Sequence, residues 1–237
     1  MLQRTAGNRA VQRALAGVRA PGAAPMVSRQ TTRTPISETT DTGNQYTQDL
    51  LLNKTAHTIE ISLGINWVRQ GTWASDAAYE AFIRRVKTAA YSYLDNKFKV
   101  VCTPNSPAAG SAPIELPITF ILYNYATGYT IDAHGGTPGA GSAMATAGGH
   151  VHEFRADGTA EVDITYAHEF GHAVLGASDE YANPAVPGRV LTNDHSIMAN
   201  YYSQGIPQAK FKARHFQHIV TEVAKAFAGY TCSLRPM

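Results

Sequence analysis

The chain contains no run of about 18 apolar residues, so no stretch of it reads as a membrane-spanning helix. Its first thirty residues lack the roughly 7–15-residue apolar core of a secretory signal, and export by the general secretory route is not expected. Only two cysteines occur, Cys102 and Cys232. That excludes a disulfide-dense scaffold and a cysteine-rich metal site, and leaves open one disulfide or two buried thiols. Acidic residues are absent from positions 1–33, which carry Arg4, Arg9, Arg13, Arg19, Arg29 and Arg33. With a net charge of +2 overall, the remainder carries −4. Six arginines over that length are too dilute for a nucleic-acid arm, and no nucleic-acid partner is expected. No internal repeat is present.

What remains is the composition of a globular protein, 44% apolar and 16% charged, long enough for one catalytic domain with an appendage. Residues 1–19 read as an N-terminal arm with at most two short helical turns, broken at Gly7-Asn8. Residues 20–45 are rich in Thr, Pro, Ala and Gly and read as a flexible linker. Residues 46–237 form the expected folded domain.

Within it, Ile59, Ile61, Leu63, Ile65 and Trp67 alternate as in a half-buried strand. Ser75 is suited to cap a helix whose apolar stripe runs through Ala78, Phe82, Val86, Ala89, Ala90, Tyr93 and Leu94 to about Asn96. Residues 98–103 and 114–125 read as strands, and 132–149 as a long loop of small residues. Residues 150–154 and 160–165 suggest a hairpin across Ala156-Asp157-Gly158-Thr159. A C-terminal amphipathic helix is expected over 208–228, and the fold class is α+β.

The chemistry concentrates in His168-Glu169-Phe170-Gly171-His172. Residues four apart share a helix face, so His168 and His172 can aim two imidazoles at one ion. Glu169 adjoins that face, where a carboxylate can take a proton from metal-activated water. Gly176 is suited to end the helix in a left-handed turn. The acidic pair Asp179-Glu180 then follows, and either carboxylate can complete the ligand set; His195 is a further alternative.

This pattern resembles the metzincin clan of zinc peptidases, HExxHxxGxxH/D, but with the glycine one residue late and the acidic residue seven after His172. HEFGHxxxGxxDEY, as it stands at 168–181, is similar to the IgA-specific metallo-endopeptidases. The resemblance implies Zn2+ held by His168, His172 and Asp179, Glu169 as general base, and a protein or peptide substrate. It also implies a metzincin-like domain, a twisted mixed sheet with a backing helix, an active-site helix, a Met-turn at Ser196-Ile197-Met198 and a C-terminal helix. It covers about residues 55–230, with only 168–181 specific. Some metzincins stabilise the oxyanion with a tyrosine after the Met-turn; Tyr201 and Tyr202 stand one or two positions from that place. His150, His152, His215 and His218 are expected to be packed, solvated or substrate-flanking and not ligands.

Leu2-Gln3-Arg4-Thr5-Ala6-Gly7-Asn8-Arg9-Ala10-Val11 resembles LQRTxGNxAV, a segment near the termini of bacterial proteins encoded with extracellular contractile injection systems. That likeness implies synthesis in a bacterial cytoplasm and delivery by such a particle. Two readings compete with the endopeptidase: a non-catalytic structural or adaptor component of that particle retaining a zinc site, and a zinc amidase acting on peptidoglycan peptides.

Overall fold

The alternation of Ile59, Ile61, Leu63 and Ile65 becomes the inward face of the longest strand, Thr58–Gly71 (β3), where all four side chains are buried. The structure, a computed structural model, describes residues 31–39, 45–106, 112–127, 129–135, 151–155, 160–184 and 187–237. The N-terminal arm, His150, and all of the expected 132–149 loop beyond Gly135 lie outside the described residues.

The other strands are Thr31–Thr39 (β1), Gln45–Asn53 (β2), Phe98–Pro104 (β4), Ile114–Asn124 (β5), Tyr129–Gly135 (β6), Val151–Arg155 (β7) and Tyr230–Pro236 (β8). They form one eight-stranded mixed sheet ordered β1-β2-β3-β5-β4-β8, with β6 also paired to β3 and β7 to β6. The β3/β5, β3/β6 and β6/β7 pairs are parallel and the rest antiparallel. The chain is thus α+β, as its pattern predicts.

The helix Asp76–Leu94 (α1) begins where expected, because Ser75 accepts a hydrogen bond from the Ala78 amide at 3.1 Å and so satisfies one of the unpaired amides of the first turn. Its end is fixed by Asp95, whose Oδ1 accepts from the Phe120 amide of β5 at 2.9 Å. Phe82, Val86, Ala90 and Leu94 face the sheet and are buried. The helix also meets the helix Ala160–Leu175 (α2), where Phe82 packs edge-on against Tyr166 with ring centres 5.8 Å apart and Arg85 pairs with Asp163 at 2.8 Å. Among the described residues no helix is long and apolar enough to cross a membrane.

Four expectations are corrected. The segment 20–45 is not linker throughout, since β1 occupies Thr31–Thr39 and pairs along its whole length with β2. A Thr-rich strand with Pro35 suits a sheet edge, where ladder hydrogen bonds stabilise it and little apolar surface is needed. The folded region therefore begins by Thr31, before Tyr46. Residues 129–135, partly assigned to a loop, are a strand paired with β3. The second arm of the expected hairpin is helix from Ala160 onward; six alternating residues do not distinguish strand from helix, and Tyr166, Ala167, Phe170, Ala173 and Val174 continue at helical spacing. The C-terminal helix is shorter, Gln217–Ala226, preceded by the 3-10 turns Ile206–Gln208 and Ala213–Phe216, with Pro207 in the first of these.

Cys102 and Cys232 stand opposite each other on β4 and β8 and form a disulfide, which settles the alternative left open by the sequence. The bond closes a loop of 130 residues, so its removal frees much unfolded-state entropy. Cys102→Ser with Cys232→Ser is expected to cost about 2–4 kcal/mol, read as a fall in thermal midpoint of roughly 4–16 °C for a domain of this size. Equal melting of the oxidised and cysteine-free forms would contradict this.

Candidate metal centre

The helix α2 carries His168, Glu169 and His172, and its own packing explains the intervening glycine. A Cβ on Gly171 would lie 2.7 Å from Met198 Sδ and 2.7 Å from Phe211 Cε1. The helix therefore rests directly on the buried Met198 of the expected Met-turn. Gly171→Ala gains helix propensity of about 1 kcal/mol but overpacks this contact, which costs about 1–3 kcal/mol. A net loss of thermal stability is expected, and a variant as stable as the parent would contradict the packing described.

Past Leu175 the helix ends at Gly176, whose φ of 57° reverses the chain; its amide bonds the His172 carbonyl at 3.1 Å and the Ala177 amide bonds the Gly171 carbonyl at 3.2 Å. The turn also orients an imidazole. His172 Nδ1 donates to the Ala177 carbonyl at 2.5 Å, and His168 Nδ1 donates to the Ile197 carbonyl at 2.7 Å. A carbonyl only accepts, so both imidazoles carry their proton on Nδ1 and a neutral ring offers a lone pair at Nε2.

Those Nε2 atoms converge on one carboxylate oxygen. Asp179 Oδ1 lies 3.0 Å from His168 Nε2 and 3.3 Å from His172 Nε2. Metal–ligand bonds of roughly 2.0–2.2 Å in a tetrahedron put ligand atoms about 3.3–3.6 Å apart, and the separations of 3.0 and 3.3 Å found here come close to that spacing. Despite its neighbours, Oδ1 is buried and accepts no well-formed hydrogen bond. Three acceptor atoms facing one another in a dry pocket repel unless a cation stands among them. This donor set fits a divalent metal ion.

Glu169 is buried, with Oε1 3.6 Å from His168 Nε2 and Oε2 3.8 Å from His172 Nε2. His168, Glu169 and His172 form the one metal-type cluster among the described residues, but the shorter separations favour Asp179 over Glu169 as the carboxylate nearest both imidazoles. Burial pushes the Glu169 carboxyl up to about 8, with His168 opposing the rise and Asp179 adding to it. For Asp179 burial also acts upward; only imidazoles donating from Nε2 would hold its carboxyl down, and here both carry their proton on Nδ1. A bound dication would favour the ionised form of both.

Glu180 has a different partner. Arg214 grips it from both sides, through Nε to Oε1 and through Nη2 to Oε2 at 2.6 Å, and the Thr192 hydroxyl adds 3.1 Å. These bonds outweigh burial and keep the Glu180 carboxyl below its usual range. His215 Nδ1 accepts from the Lys212 amide at 3.1 Å, so its Nε2 is the protonated nitrogen and donates toward Glu180 Oε1 at 3.2 Å. That is the opposite tautomer to His168 and His172 and unsuited to a metal. The Glu180 amide bonds the Met198 carbonyl at 2.7 Å, which ties the acidic loop to the turn beneath the histidines.

His195 is not part of the metal-type cluster; it has a φ of 58° and its amide bonds Gln204 Oε1 at 2.8 Å. His218 lines a neighbouring hollow of about 550 Å³ with Gly176, Asp179, Arg189 and Arg214. His152 lies on β7. Thr165 Oγ1 is 3.0 Å from the Tyr201 hydroxyl and 3.3 Å from that of Tyr202, and the Tyr201 ring centre is 5.8 Å from that of His168. Tyr201 is buried and Tyr202 exposed.

Two residues that contact the acidic pair carry no sequence signal. Arg214, 34 residues beyond Glu180, anchors the acidic loop, and Arg189 places its guanidinium against Asp179. Comparison with protein-family models, curated proteins and solved structures finds no match to this chain.

Proposed function

We propose that the chain is a zinc-dependent endopeptidase, with His168, His172 and Asp179 as ligands and Glu169 as general base. The observation that carries this reading is the convergence of two Nδ1-protonated imidazoles on the buried Asp179 Oδ1, with Glu169 one step farther out. Zinc, when bound, supplies a Lewis acid that polarises a carbonyl and acidifies water. Glu169, whose buried Oε2 lacks a hydrogen-bond partner, takes a proton from the attacking water and delivers it to the leaving amine. The carbonyls of Ala177 and Ile197 hold the imidazoles in the tautomer that leaves Nε2 free to ligate.

A structural zinc staple would close the site with a fourth protein ligand. Three ligands beside a carboxylate with one unbonded oxygen suit catalysis better. The order of active-site helix, acidic ligand, Met-containing turn and C-terminal helix supports a metzincin-like lower subdomain, and the 168–181 segment supports kinship with IgA-specific metallo-endopeptidases. The likeness of residues 2–11 to injection-system segments supports delivery by such a particle, as effector or toxin. Digestion of a proteome-derived peptide library tests the activity: internal cleavage that stops on chelation and returns with zinc is expected. A zinc-loaded protein that cuts neither peptides nor cell-wall material would instead support the adaptor role.

A further inference from the structure

Between Tyr181 and the Met-turn the chain brings one cation against the candidate ligand. The Arg189 side chain is only 3% exposed, and its Nη2 lies 3.2 Å from Asp179 Oδ2. That oxygen is the one not shared with the histidines, which approach Oδ1. Arg189 Cζ stands 5.3 Å from the centre of the Tyr181 ring, so the ring packs over the guanidinium that faces Asp179. Gly188, with a φ of 83°, turns the backbone just before the arginine. Burying a guanidinium is costly and packing does not call for it. A loop that does so, against one oxygen of one carboxylate, fixes that carboxylate.

We propose that Arg189, with Tyr181, is a positioning residue for the metal: by holding Asp179 Oδ2 it presents Oδ1 alone to the ion shared with His168 and His172. The inference rests on the zinc reading above. Its consequence opposes simple electrostatics. A positive charge beside a dication weakens binding through repulsion, so if charge alone mattered, removing it would tighten the site. If Arg189 positions Asp179, removing it lets the carboxylate turn and the site loosens.

The test measures zinc affinity of the full chain by competition with a chromophoric chelator, and ligand geometry by the visible spectrum of the Co2+ form. Arg189→Met is expected to weaken zinc by about 10–100-fold, the usual effect of losing a partner that orients a ligand, and to alter the Co2+ bands. Arg189→Lys, which keeps the charge but not the fork, should recover part of the affinity. Tyr181→Leu removes the ring that packs on the guanidinium and should give a smaller loss, which keeps the test open if the methionine variant does not fold. Variants that bind zinc as tightly as the parent or more tightly, with unchanged Co2+ spectra, overturn the positioning role. A parent chain that binds no zinc overturns the metal reading itself, and this inference with it.

Discussion

Glu169→Gln is expected to leave zinc bound and to reduce peptide hydrolysis by about 10²–10⁴-fold, the usual contribution of a general base. Glutamine keeps the shape of the side chain but accepts no proton from water. The same substitution makes a signed prediction for the metal-free protein. The buried Glu169 carboxyl has its pKa raised to about 8 from an ordinary 4.5, so between these values the folded state binds the extra proton. Stability of the metal-free chain therefore falls as pH rises from about 4.5 through 8. Glu169→Gln lacks this loss. Its thermal midpoint should exceed the parent's most at pH 8 and above, with the difference shrinking toward pH 4.5. A constant difference across that range would contradict the burial described, whatever the activity.

The second large effect separates two neighbouring carboxylates. Asp179→Asn should weaken zinc by more than the about 10–100-fold that loss of an outer partner causes, because the removed charge faces both Nε2 atoms. Glu180→Gln should leave zinc affinity within about tenfold, since Glu180 is gripped by Arg214 and His215. Its cost falls on folding instead. Loss of a charged partner for a half-exposed guanidinium is worth about 1–3 kcal/mol. Isothermal titration with zinc and thermal unfolding, run on both variants, read the two effects separately. Equal losses of zinc in the two would show that the acidic pair is shared by the ion.

Local physics made part of this legible from residues alone. The α1 stripe and its Ser75 cap depend on neighbours within four positions, and the β3 alternation depends on period two; both survive in the structure. His168 and His172 are legible for the same reason, one helical turn apart. The choice of Asp179 over Glu180 was not a matter of spacing, since the resemblance alone favoured it. The geometry that separates the two is the Arg214 grip, formed across 34 residues. Arg189 was illegible because it follows a segment with no periodicity, and its role depends on where Gly188 turns the chain. β1 is not legible in the sequence because an edge strand is stabilised by backbone pairing with β2, and composition reports burial rather than pairing.

Elemental analysis of the purified full chain, dialysed against zinc and then against metal-free buffer, tests the central claim most directly. One zinc per chain is predicted, with none retained when His168 and His172 are both replaced by alanine. A folded parent chain that retains no zinc, or a double variant that retains as much as the parent, would contradict it.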